Sequence, residues 1–217
     1  MSLERVGNAF RRRVWKFFRA WRNRLNRVKF HEKNVCILSM NCTGGILYHD
    51  LGLPFLSPTI NLFFHAEDFI RFCERLDDYL KIDKLVECFD PDVVQDRPYP
   101  VAWLGDIKLF LVHYHSVSEA QDAWNRRKKR IRKEEIVVLA TDRDGMTDSL
   151  KDRFEKLPYP KVMFVHKPDP IHPSCFYLRG YEQESSVGIV TESTGWLGTR
   201  KVDQFDWVAF LNGTQKS

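Results

Sequence analysis

Three short apolar runs constrain this fold more than any other feature: Val-Cys-Ile-Leu-Ser-Met at 35–40, Glu-Ile-Val-Val-Leu-Ala at 135–140 and Lys-Val-Met-Phe-Val-His at 161–166. They are apolar at nearly every consecutive position instead of at every second one. That is the pattern of a strand covered on both faces, as in a largely parallel sheet with helices on either side. Helical periodicity lies between them. Phe69, Phe72, Leu76 and Leu80 recur at helical spacing within 66–82, and Ser116-Val-Ser-Glu119 is a capping box opening a helix that runs through Trp124 to Arg132. A further helix is expected at 147–157. Gly105-Asp106 between apolar segments at 99–104 and 107–114 predicts a hairpin. Strands are expected again at 174–178 and 187–191, and a closing helix or strand at 202–211. The expected fold is a single three-layer α/β domain over 31–217 with a mixed, mainly parallel sheet, preceded by an N-terminal basic amphipathic helix over 1–30.

Of the 217 residues, 43% are hydrophobic and 13% aromatic, enough for a sizeable core, so wholesale disorder is excluded. No apolar run approaches the roughly 18–20 residues of a membrane-spanning helix. Five cysteines without a CxxC pair argue against a disulfide scaffold or zinc ribbon, and for a reducing, cytoplasmic setting.

The net charge of +5 is unevenly placed. Residues 1–33 hold eleven Lys/Arg against two acids, a net +9, while the remaining 23 basic and 27 acidic residues sum to −4. The basic character therefore belongs to the arm, and specific nucleic-acid binding by the domain is not expected. Within the arm Val6, Phe10, Val14, Phe18, Trp21, Leu25 and Val28 form an apolar stripe, with cations on the other face. Such a helix suits an anionic membrane surface, which would place the protein peripherally on the inner face of the plasma membrane. Alternatively the stripe packs on its own domain and the charges are solvated.

Ligands of α/β sheets bind beyond the carboxyl ends of strands, and four such ends carry chemistry here. The first is Ser39-Met-Asn41-Cys42-Thr43-Gly44-Gly45. A cysteine on a strand-to-helix turn, with the Thr43, Gly44 and Gly45 amides beside it, is a candidate nucleophile with oxyanion donors; equally, it is packing, or the turn cradles a phosphate. The second is His113-Tyr114-His115. If the strand continues, both imidazoles share one side and either could be a general base; otherwise one caps the following helix. The third, Thr141-Asp142-Arg143-Asp144-Gly145, offers Asp142 to orient a histidine or bind a hydroxyl, or is simply a turn. The fourth, His166-Lys-Pro-Asp169-Pro-Ile-His172, has the D-x-x-H spacing found in SGNH-type hydrolases, making Asp169 and His172 a candidate base pair. Arg126, Arg127 and Arg130 crowd a helix end as a phosphate clamp or a solvated face. No metal site and no resident cofactor are expected.

Taken together, Ser39-Met-Asn-Cys-Thr-Gly-Gly45, Leu51-Gly-Leu-Pro-Phe-Leu-Ser57-Pro58-Thr59, His113-Tyr114 and Trp124-Asn-Arg-Arg127 resemble a bacterial family of unknown function often called exopolysaccharide or capsule biosynthesis proteins. The resemblance covers about residues 33–212, outside the arm. It implies surface-polysaccharide assembly, with acyl-CoA or nucleotide-sugar donors and sugar or lipid-linked sugar acceptors, and it brings Ser57 among the substrate-binding candidates. The Asn-Cys turn is also similar to one in a capsule acetyltransferase family. The expected function is a transferase of surface polysaccharide biosynthesis, with acyl transfer first. Alternatives are a glycosyl- or phosphosugar-transferase without a covalent intermediate, or a membrane-recruited scaffold.

Overall fold

The computed structural model describes residues 3–31, 34–94, 97–193, 195 and 197–213, with the side chains of residues 3–10 and 12 outside that description. Helix α1 (Leu3–Lys29) precedes β1 (Cys36–Ser39), α2 (Thr43–Leu51), α3 (Ala66–Glu74) and α4 (Leu76–Leu80). Next come β2 (Val86–Glu87), α5 (Pro91–Val94), the hairpin β3 (Val101–Leu104) and β4 (Ile107–Phe110), and α6 (Val117–Lys128). The chain closes with β5 (Ile136–Thr141), α7 (Asp148–Glu155), β6 (Lys161–Val165), β7 (Cys175–Tyr177) and α8 (Trp207–Gly213).

The three apolar runs are β1, β5 and β6. They lie side by side and parallel in a four-stranded sheet of order β1-β5-β6-β7, with Cys36 opposite Ile136 and Val138 opposite Lys161. Alternate side chains leave the sheet on opposite faces, so each strand feeds two cores. Cys36, Leu38, Val138, Ala140 and Met163 join one, packed with α3, α4, α6, α7 and the hairpin. Ile37, Val137, Leu139, Val162 and Phe164 join the other, packed with α2, α8 and residues of the 178–202 segment. Three layers result, as expected. The antiparallel strands form their own small sheet, β2-β3-β4, instead of extending the parallel one. The hairpin turns on Gly105 at φ +63°, with Asp106 at negative φ, as a turn with glycine first requires.

The helix expected over 66–82 breaks at Arg75 (φ −117°, ψ 35°) into α3 and α4. Residues 187–191 do not form a strand; they run as irregular chain, held where Val202 N–H donates to Val190 O and Val187 N–H to Asp142. The closing segment is a 3-10 turn, Lys201–Gln204, followed by α8.

Helix α1 lies against the domain by its polar side, the reverse of the expectation that its apolar stripe packs on its own domain. Asp50, at the end of α2, accepts Asn23 Nδ2 at 2.8 Å and Arg200 Nη1 at 2.6 Å, and Arg19 stands 3.9 Å away. Arg19 forks onto Asp203 at 2.9 and 2.6 Å and reaches Gly198 O at 3.0 Å. Arg27 donates to Asp50 O and His49 O. The acidic surplus of the domain is thus partly spent on the arm, at Asp50 and Asp203. No helix among the described residues is long and apolar enough to cross a membrane.

Candidate functional site

Because β1, β5 and β6 are parallel neighbours, their carboxyl ends open on one edge of the sheet, and the residues that follow them meet there. After β1, Asn41 accepts from Thr43 N–H (3.1 Å) and Thr43 Oγ1 (2.7 Å), starting α2 with an Asx turn, and donates to Thr141 Oγ1 at the end of β5. Gly44 lets α2 approach β1: a Cβ there would stand 2.7 Å from Ser39 Cβ. Cys42 is thereby fixed, half-buried, at the N-terminus of α2.

The structure places the Cys42 Sγ 3.4 Å from His113 Nε2, although 71 residues separate them. The strand does not continue through His113. It ends at Phe110, and a turn closed by Tyr114 N–H to Leu111 O carries His113 and His115 outward, both exposed, with Tyr114 turned in and buried. Arg127 braces this turn from α6, donating to Tyr114 Oη (2.6 Å) and Ile60 O (3.0 Å). Its guanidinium is committed there. Arg130 donates to Phe55 O, and Arg126 is left exposed. His115 N–H is held by Glu119, whose own N–H caps onto Ser116 Oγ.

Burial pushes the Cys42 thiol above its ordinary value, against a smaller opposing pull from its own backbone N–H. Two of the three amides expected as oxyanion donors are engaged: Thr43 N–H with Asn41, and Gly44 N–H with Ser39 Oγ at 3.1 Å. The thiol therefore rests protonated, and its activation has to come from a base.

Cys42 opens on a cavity of about 210 Å³ lined by Asn41, Thr43, Phe63, Arg143 and residues 188–191. Arg143, the cation of this wall, stands 3.7 Å from Asp144. Sequence reasoning passed over Arg143, and also over His166. Asp142, at the end of β5, accepts from both the backbone N–H (2.7 Å) and the ring Nδ1 of His166, at the end of β6, and from Val187 N–H at 2.8 Å. Nε2 of His166 is left unpartnered among the described residues, so the imidazole is held as a carboxylate-oriented base or acid is held. The signals for this couple were Asp142, offered as a residue to orient a histidine, and a histidine directly after another buried strand; that β5 and β6 are neighbours had to be known to join them.

The Asp169–His172 pair sits elsewhere, under α7. His172 is buried, its Nδ1 2.9 Å from Asp169 and its Nε2 3.2 Å from Asp152, and Asp169 also takes Lys151 Nζ at 3.0 Å. Both ring nitrogens are engaged, and neither residue contacts Cys42. Burial pulls the imidazolium down, but the hydrogen bonds of Asp169 and Asp152 outweigh it, and its pKa stands above the ordinary value. Asp169 is lowered to about 2: burial opposes this, and Lys151 and His172 prevail. Cys175 lies close enough that Asp169, His172 and Cys175 could converge on a metal ion. Those donors are already engaged, Asp169 with Lys151 Nζ at 3.0 Å and His172 through both ring nitrogens, so Lys151 takes the place a cation would fill. Ser57 is fully buried, its Oγ 2.9 Å from Thr59 Oγ1, which in turn accepts Ser39 N–H; it braces the loop against β1.

Fold and site together define an α/β protein with a thiol–imidazole couple at the carboxyl edge of a parallel sheet. The chain belongs to the DUF1919 family, a domain of unknown function, whose family model matches residues 13–212. The match takes in much of α1, so the family extends further toward the N-terminus than the expected start at 33. The chain is also similar to an uncharacterized protein of Haemophilus influenzae, 36% identical over 191 residues, which cover 88% of this chain and 90% of that protein.

Proposed function

We propose that this protein is a transferase acting on a precursor of bacterial surface polysaccharide, and that it transfers an acyl group through Cys42. The observation that carries the reading is the 3.4 Å approach of Cys42 Sγ to His113 Nε2 beside a cavity walled by Arg143. A nucleophile within hydrogen-bond reach of a base is the arrangement covalent catalysis needs. Sγ attacks the carbonyl carbon of an acyl-CoA thioester while its proton passes to His113 Nε2. The tetrahedral intermediate collapses, and the CoA sulfur leaves with that proton. An acceptor sugar hydroxyl then attacks the Cys42 thioester, gives its proton to His113, and frees the thiol. Arg143 holds a phosphate of donor or acceptor. The resemblance to exopolysaccharide and capsule proteins supports the substrate class.

The Asp142–His166 couple favours a second reading, a glycosyl- or phosphosugar-transferase in which His166 takes the acceptor proton and Cys42 only lines the pocket. Intact-mass spectrometry after incubation with acetyl-CoA separates the two. Covalent transfer gives an acetyl adduct on the wild type that is absent from Cys42→Ala and forms about 10²–10⁴-fold more slowly in His113→Ala. Turnover that survives Cys42→Ala overturns it in favour of the second reading.

A further inference from the structure

The outward face of α1 is apolar. Phe17, Trp21, Leu25 and Val28 are 69, 57, 41 and 72% exposed and stand at spacings of four, four and three, which puts them on one side of the helix. The opposite side, with Arg19, Arg22 and Asn23, is the one tied to Asp50 and Asp203. The helix therefore cannot turn its stripe inward without breaking those bonds. Exposed cations border the stripe on both flanks: Arg13 and Arg24 on one, Arg11 and Lys29 on the other. From residue 11 to residue 29 the helix contains no acidic residue.

We infer that this face docks on an anionic lipid surface, with Phe17 and Trp21 seated at the headgroup boundary and the flanking cations against lipid phosphates. Charge complementarity selects this occupant. Antiparallel or parallel pairing of two copies along the stripe would bring cationic borders together with no acid between residues 11 and 29 to offset them, whereas a bilayer of negative headgroups meets all four cations and takes up the aromatic side chains. The polar anchor then has a clear part: it neutralises the inner cations internally and holds the apolar face outward. The inference does not depend on how Cys42 is used.

The test is co-sedimentation of the full chain with vesicles of phosphatidylcholine alone and of equal parts phosphatidylcholine and phosphatidylglycerol. Binding is expected to the anionic vesicles only, and to weaken as salt is raised. Phe17→Ala/Trp21→Ala should lower the partition coefficient at least tenfold with an unchanged unfolding temperature, since both side chains are exposed. Arg11→Gln/Arg13→Gln/Arg24→Gln should lower it through the electrostatic part alone and remove most of the salt dependence. Equal binding to both vesicle types, no binding to either, or undiminished binding by the double variant overturns the inference. So does a lipid-free dimer that the double variant abolishes, which would assign the face to a second copy.

Discussion

Replacing Asp50 with alanine tests whether charge holds α1 to the domain. The carboxylate, only 11% exposed, accepts one charged donor at 2.6 Å from Arg200 and one neutral donor at 2.8 Å from Asn23, with Arg19 at 3.9 Å. Hydrogen bonds to a charged partner are worth about 1.5–3 kcal/mol each, and truncation leaves Arg200 and Asn23 under the helix without their acceptor. Arg19 keeps Asp203, which limits the damage. The expected loss is about 3 kcal/mol. For a chain of this size that is a fall in unfolding temperature of roughly 6–12 °C. Differential scanning calorimetry measures it, and faster tryptic cleavage after Arg19, Arg22 or Arg27 shows that the arm has lifted. Asp78→Ala is the control: its pairs with Arg75 and Lys81 are exposed on the surface and should matter by no more than about 0.5 kcal/mol. A loss for Asp50→Ala below about 1 kcal/mol, or one matching the control, would refute the anchor.

Two pH dependences follow from the same reasoning. With its thiol held above the ordinary value of 9.0, Cys42 should react with iodoacetamide at a rate still rising at pH 9; a plateau below pH 7 would instead mean a thiolate paired with imidazolium. His172 is raised above its ordinary 6.5, so the stability it lends is complete below about that pH and is lost as pH climbs through its folded value. Asp169 is lowered from 3.8 to about 2, so its contribution holds above 3.8 and is lost as pH falls toward 2. Denaturation midpoints of the wild type should therefore decline above pH 6.5, and His172→Asn should flatten that alkaline slope; an unchanged slope would place the titration elsewhere.

The parallel sheet was legible because strands buried on both faces leave an unbroken apolar run, and β1, β5 and β6 all do. Cys42 and His113 were legible as reactive residue types at the ends of apolar segments, though their approach was not, since a turn after Phe110 creates it. His166 was missed because its meaning depends on Asp142, and the two meet only through the adjacency of β5 and β6. The 187–191 segment has a strand-like composition but no neighbour to pair with, and Gly188 in its middle weakens it further. The arm shows the limit most clearly. Periodicity marked Trp21, Leu25 and Val28, which are exposed together, but grouped them with the half-buried Val14 and Phe18 and left out the exposed Phe17. Which side turned inward was decided by Asp50 and Asp203, one in the last turn of α2 and the other near the C-terminus, and nothing local points to either.

Residues 188–191 wall the Cys42 cavity, and Thr191 also walls a small cavity of about 20 Å³ beneath α1, beside Arg19, Asn23 and Asp50. One short segment is thus a partition between two compartments, pinned by Asp142 at residue 187 and by Val202 at residue 190. The two compartments share this wall, so a change of side chain at Thr191 alters the lining of both the space in front of Cys42 and the one beneath α1.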